Sequence, residues 1–247
     1  MKPFAPVPAD LSATRTALHR LATYVVAPVR HQATGRFGLR AAPSGFGTPE
    51  FDGRRIRIQG LELIDEAADG SSRTSPITSL NSAAEFLGTA IDSDTAAEGD
   101  SPAVGDADAD LMINEESSLW LGEWFGAAFE ALEQVRGDEL SVDASEPQLW
   151  PGHFDPAIEI GDEDHRGSYG ASPGDPTIDE PYLYLSAWWP DRLNLDAEDP
   201  KWNSTTFTGS VLRVSDFPEG ADPVAVAAEF WRDARDRLAA GRSSAET

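Results

Sequence analysis

Residues 149–189 read LWPGHFDPAIEIGDEDHRGSYGASPGDPTIDEPYLYLSAWW, and this stretch decides the fold class. It opens on a Trp150-Pro151 turn. From Phe154 to Ile160 side chains alternate, with Phe154, Ile158 and Ile160 on one side of a strand and His153, Asp155 and Glu159 on the other. A long polar loop follows. Tyr182 to Trp189 then alternates again, and an inward set of Leu183, Leu185 and Ala187 leaves Tyr182, Tyr184, Ser186 and Trp188 on the opposite face. Two such strands joined through a loop predict a hairpin, and hence antiparallel pairing.

Working outward, Thr205–Val214 is a further alternating strand. Asp222-Pro223 then starts a last helix as N-cap and first-turn proline, with Val224, Ala227, Phe230, Trp231, Ala234 and Leu238 facing inward and Gly241 as its stop. Upstream, Ser117–Arg136 is the strongest helix. Trp120, Leu121, Trp124, Phe125, Ala128, Phe129, Leu132 and Val135 form a wide apolar face that reads as core. Residues 92–112 are rich in Asp, Glu, Ala, Ser and Gly and predict an acidic flexible loop. Before it, Ser82–Leu87 is a short helix, and Asp52-Gly53 is a hairpin signal leading into a strand at Arg55–Gln59, continuing after Gly60 as Leu61–Ile64. The first helix, capped by Ser12 or Thr14, carries Leu18, Leu21, Ala22 and Val25 inward and should end or kink near Pro28. The expected architecture is one α+β domain over residues 1–247, a mostly antiparallel sheet packed with about four helices.

Composition removes several functions. Forty-three acids against 19 bases give a net charge of −24, a field that repels phosphate backbones and anionic membrane surfaces, so neither nucleic acid nor membrane is an expected partner. The acid bias fits a GC-rich bacterial genome or a salt-adapted organism. With no cysteine there is no disulfide, thiolate metal site, iron–sulfur cluster or cysteine nucleophile. Neither a secretory signal in Met1–Asp10 nor a long apolar run later in the chain is visible, which predicts a cytoplasmic protein.

Motifs narrow it further. Gly170-Ala-Ser172-Pro-Gly174 matches the spacing of a nucleophile elbow, but the residue after the serine must donate its backbone N–H to an oxyanion, and Pro173 has none. Gly45-Phe46-Gly47 lacks the third glycine, the lysine and the following helix of a phosphate cradle, and reads as a turn before a hairpin. His19 and His31 read as ordinary surface or helix-end histidines.

One candidate site remains, the polar face of the 149–189 hairpin and its loop. Tyr182, Tyr184, Ser186 and Trp188 would bind a small polar ligand or a protein partner against aromatic rings. In the alternative, His153 and Asp155 with Glu159 or His165 would hold a divalent metal ion in a hydrolase-like enzyme, although their spacing matches no known metal motif. A third reading is an acidic interaction protein for a basic partner. No catalytic residue or oligomeric state follows from the chain.

The segments Leu149–Asp155, Tyr169–Asp175 and Glu180–Leu185, with the earlier run Gly38–Phe51, resemble an actinobacterial family of conserved hypothetical proteins of unknown function. The resemblance covers most of the chain outside the acidic stretch. It implies a bacterial, cytoplasmic setting and carries no catalytic residue with it.

Overall fold

The computed structural model describes residues 3–92, 100–193 and 199–241. It is an α+β protein with antiparallel strand pairs, as expected, and its contacts gather into two compact units. The first comprises Ala5–Gly126 with Gln148–Asp155; the second comprises Met1–Phe4, Ala127–Pro147 and Pro156–Thr247.

The first unit opens with α1 (Leu11–Leu21), a π-helical turn (Ala22–Val26) and α2 (Ala27–Thr34). Proline removes an N–H and crowds the carbonyl four residues back, so Pro28 was expected to end or kink this helix. Instead the wider turn directly before it absorbs the defect, and helix continues to Thr34. The N-cap is Asp10 rather than Ser12 or Thr14, because both fall inside the helix. Thr14 is buried, and its hydroxyl accepts a hydrogen bond from the Asn114 N–H at 3.0 Å.

The first unit's sheet runs β1 (Arg40–Ala42), β2 (Gly45–Gly47), β3 (Arg54–Gln59), β4 (Glu62–Ala67), β5 (Ser72–Pro76), in that spatial order. Asp52 and Gly53, with φ of 47° and 70°, make the expected hairpin turn before β3. Leu61–Ile64 does not extend β3 past Gly60: the chain reverses there, and β4 pairs back with Gln59 opposite Glu62. The Gly45-Phe46-Gly47 run is a strand rather than a turn. A methyl group at Gly45 would lie 1.9 Å from the Ile58 carbonyl oxygen, and one at Gly122 would lie 2.3 Å from the Gly45 nitrogen, so helix and strand backbones meet where neither carries a side chain.

Helix α3 (Leu80–Leu87) is capped by the Ser79 hydroxyl, and α4 (Glu115–Arg136) begins in this unit and ends in the other. Of the stretch expected to be a flexible acidic loop, residues 93–99 lie outside the described residues. From Asp100 onward the chain is tied to its neighbours: the Tyr24 hydroxyl donates to the Pro102 carbonyl at 2.7 Å, and the Asn81 N–H donates to Ala107. A short β6 (Gln148–Trp150) pairs Leu149 with Leu39.

In the second unit β7 (Asp155–Ile160), β8 (Gly167–Ser172), β9 (Tyr182–Ala187) and β10 (Gly209–Arg213) lie side by side in chain order, and α5 (Pro223–Ala240) packs on β9. The two strands of the expected hairpin therefore do not touch. Six residues of their polar loop are themselves a strand, β8, which pairs with both. Asp222 caps α5 by accepting from the Val224 N–H at 3.1 Å, and Gly241 ends the helix, both as the sequence predicts.

Candidate functional site

The register of β7–β10 decides which side chains share a face. Ile158, Tyr169 and Leu185 form one row and Ala171 and Leu183 another; these are buried, on the side where the Trp231 indole of α5 donates to the Tyr184 carbonyl at 3.1 Å. The opposite face carries Glu159–Ser168–Ser186 in one row, Ala157–Gly170–Tyr184–Val211 in the next and Ser172–Tyr182–Arg213 in the third. The expected set of Tyr182, Tyr184 and Ser186 is thus on one face with Glu159, and Ser168 comes between Glu159 and Ser186.

Most polar side chains on this face have an internal partner. A methyl group at Gly170 would fall 2.5 Å from the Tyr184 ring, so the phenol lies across the glycine and fills the gap left by its missing side chain. Tyr184 meets the rings of Tyr182 and Phe207, each at 6.2 Å. The Tyr182 hydroxyl donates to Asp175. At the open end of β9, the Trp188 indole donates to the Ser168 hydroxyl at 2.8 Å, while the Arg166 guanidinium sits 5.3 Å from the Trp188 ring centre. Arg166 is fixed by Glu159 at 3.1 Å and by the Gly161 carbonyl at 2.9 Å. Trp189 stands edge-on to Trp188 at 6.4 Å, with Arg192 over its ring at 4.8 Å and 3.7 Å from Asp164.

The turn beneath is held by Asp162. Its carboxylate accepts from the Asp164 and His165 N–H groups and bonds the His165 ring at 2.8 Å. Partial burial works against its ionised form, and these hydrogen bonds outweigh that and keep the carboxyl below the usual range.

The candidate metal ligands are each engaged elsewhere. His153 faces Asp100 at 3.6 Å; Asp155 is buried in the first unit's 148–155 segment; Glu159 pairs with Arg166; His165 pairs with Asp162. Among the described residues no group of three or more His, Asp or Glu side chains is placed to hold a metal ion. Ser172 ends β8 buried, and its oxygen accepts from the Gly174 N–H at 3.1 Å, so the glycine-flanked serine closes its own turn. A cavity of about 370 Å³ in the first unit is lined by Arg54, Asp65 and Arg73. Its arginines bond Asp65 and the last carbonyls of α3, at Leu87 and Phe86, which makes it a clamp on that helix end.

Two features escape the pattern of the sequence. Arg166 and Arg192 carry no periodic signal, and they meet the tryptophans only through the turns. His19 is a core residue: Nε2 lies 2.9 Å from the Pro151 carbonyl, which can only accept, so the ring carries its proton there. It stacks on Phe154, a buried residue held at φ 59°, and Thr23 donates to the same carbonyl at 2.6 Å. No protein-family model, curated protein or solved structure matches the chain.

Proposed function

We propose that this chain is a binding protein whose recognition surface is the outer face of β8–β10 and its open end, with half-buried Tyr184 and Ser186 as the base, buried Tyr182 supporting them, and Trp188 with Trp189 as the projecting contact. One observation carries the reading. Trp188 and Trp189 are adjacent and 39% and 43% exposed, whereas Trp231 in the same unit is fully buried. Exposed neighbouring tryptophans flanked by arginines have the composition of interaction hot spots. A protein partner suits this surface better than a small polar ligand. The Ser168 and Tyr182 hydroxyls and Glu159 already have internal partners, and a small ligand would have to break those bonds without the burial a pocket provides.

The test is a photo-cross-linking amino acid placed at position 188 in the native host, with Leu140, an exposed residue of the same unit, as control position. The reading expects a discrete adduct from 188 and none from 140. Identical adducts from both positions, or none from 188, would refute it.

A further inference from the structure

We infer that the Trp188–Trp189 patch receives arginine side chains of a basic protein segment, and that Arg192 stands in for the partner's arginine in the free protein. This rests on the docking surface proposed above and names its occupant.

Each tryptophan of the patch already carries a guanidinium of this chain. Arg166 over Trp188 is anchored by Glu159 and a backbone carbonyl, so it is part of the surface. Arg192 over Trp189 is not. It sits on a three-residue 3-10 turn, Pro190–Arg192, and among the described residues its ion-pair partner is Asp164 at 3.7 Å, with both side chains mostly exposed. Cation–π and ion-pair contacts between exposed groups are weak, so another guanidinium can replace this one. The surroundings favour that exchange. Asp162, Glu163 and Asp164 in the turn and Asp191 beside Arg192 leave the patch acidic after both of its own arginines are counted, in a chain of net charge −24. An indole next to carboxylates suits arginine in particular, because the planar guanidinium stacks on the ring and forks to the acid together, whereas lysine offers only a point charge. Arg237, paired with Asp233, lies 6.0 Å from the half-buried Trp202 ring centre in the same unit, a further arginine–indole contact beside a carboxylate.

The test titrates a labelled oligoarginine peptide, with oligolysine beside it, into wild-type protein and the variants Arg192→Ala, Trp189→Ala and Arg136→Ala, read by fluorescence anisotropy. Arg136, the last residue of α4, belongs to the same unit and is not on the β8–β10 face, so its removal changes net charge equally outside the recognition surface. Expected is tighter binding of oligoarginine than of oligolysine, a gain of roughly two- to fivefold on Arg192→Ala beyond any gain on Arg136→Ala, and a loss of about tenfold on Trp189→Ala. Equal gains for the two arginine variants would overturn the stand-in role, and unchanged affinity in Trp189→Ala would overturn the site. If oligoarginine fails to bind while position 188 still cross-links a discrete partner, the docking surface stands and the arginine occupant is wrong; if both fail, so do both proposals.

Discussion

At the scale of single residues, His19 ties the 150–154 turn to α1 and makes the fold sensitive to acid. Burial pushes its imidazole from 6.5 down to about 4; the hydrogen bond to the Pro151 carbonyl opposes this, and nearby His153 and Arg15 add to it. Between those values the unfolded chain binds a proton that the folded one refuses, so stability rises with pH through this window and is lost as pH falls from 6.5 to 4. The contribution is about 3 kcal/mol. Urea unfolding across this range should show that slope in wild type and lose it in His19→Gln, whose amide can still donate to Pro151; the same slope in both would rule the histidine out. Gly122→Ala tests the backbone contact of α4 on β2. A methyl group placed 2.3 Å from the Gly45 nitrogen must displace helix or strand, at a cost of roughly 2 kcal/mol or more in equilibrium unfolding. Neither residue was legible as such: His19 follows the apolar stripe of α1 without belonging to it, and its partner, the Pro151 carbonyl, is far along the chain.

At the scale of elements, a charged clamp in the second unit ties the segment after α4 to the middle of α5. Asp138, just past α4, accepts from Arg232 at 2.8 Å and from Arg235 at 3.1 Å, and Arg235 is buried. The Arg232 hydrogen bond, against a smaller effect of burial and with help from Arg235, holds the Asp138 carboxyl below its ordinary range. Its contribution is therefore present at neutral pH and lost as pH falls through that depressed value. Asp138→Asn takes from Arg232 its partner acid and from buried Arg235 one of two, Asp236 being the other, and should cost about 1–2 kcal/mol at neutral pH, with a difference from wild type that shrinks in acid. A pH-independent difference would show that packing, not charge, is lost. Helices α1, α4 and α5 were readable because each has an apolar stripe of helical period, and Asp222, Pro223 and Gly241 mark the ends of α5. Strand β8 was not. Gly167-Ser-Tyr-Gly-Ala-Ser172 has one large side chain, and what makes it a strand is supplied by its neighbours, Tyr184 across Gly170 above all. Missing β8 placed β7 and β9 together, yet a strand inserted between two antiparallel partners leaves their faces unchanged, so the rows of Tyr182, Tyr184 and Ser186 were still correctly grouped.

At the scale of the whole molecule, the fold is an acidic α+β architecture, and among the described residues no helix is long and apolar enough to cross a membrane. Its class was legible because antiparallel alternation and helical stripes both belong to local sequence. The separation into two compact units was not, because the chain passes between them at the 4–5 junction, inside α4 and at the 147–148 and 155–156 junctions, where composition does not change. The net charge of −24 implies that association with a basic partner weakens with salt; affinity measured from low to physiological ionic strength should fall, and a flat profile would point to apolar contact alone. The account turns on Trp188 and Trp189 serving recognition rather than stability. The direct measurement is calorimetric titration of the partner cross-linked at position 188 into wild type and the W188A/W189A variant, with unfolding of both followed in parallel. The account predicts binding weakened by about thirtyfold or more in a variant that stays folded, with stability lowered by no more than about 2 kcal/mol because the two side chains, 39% and 43% exposed, are only partly buried. Equal affinity, or a variant that unfolds, would contradict it.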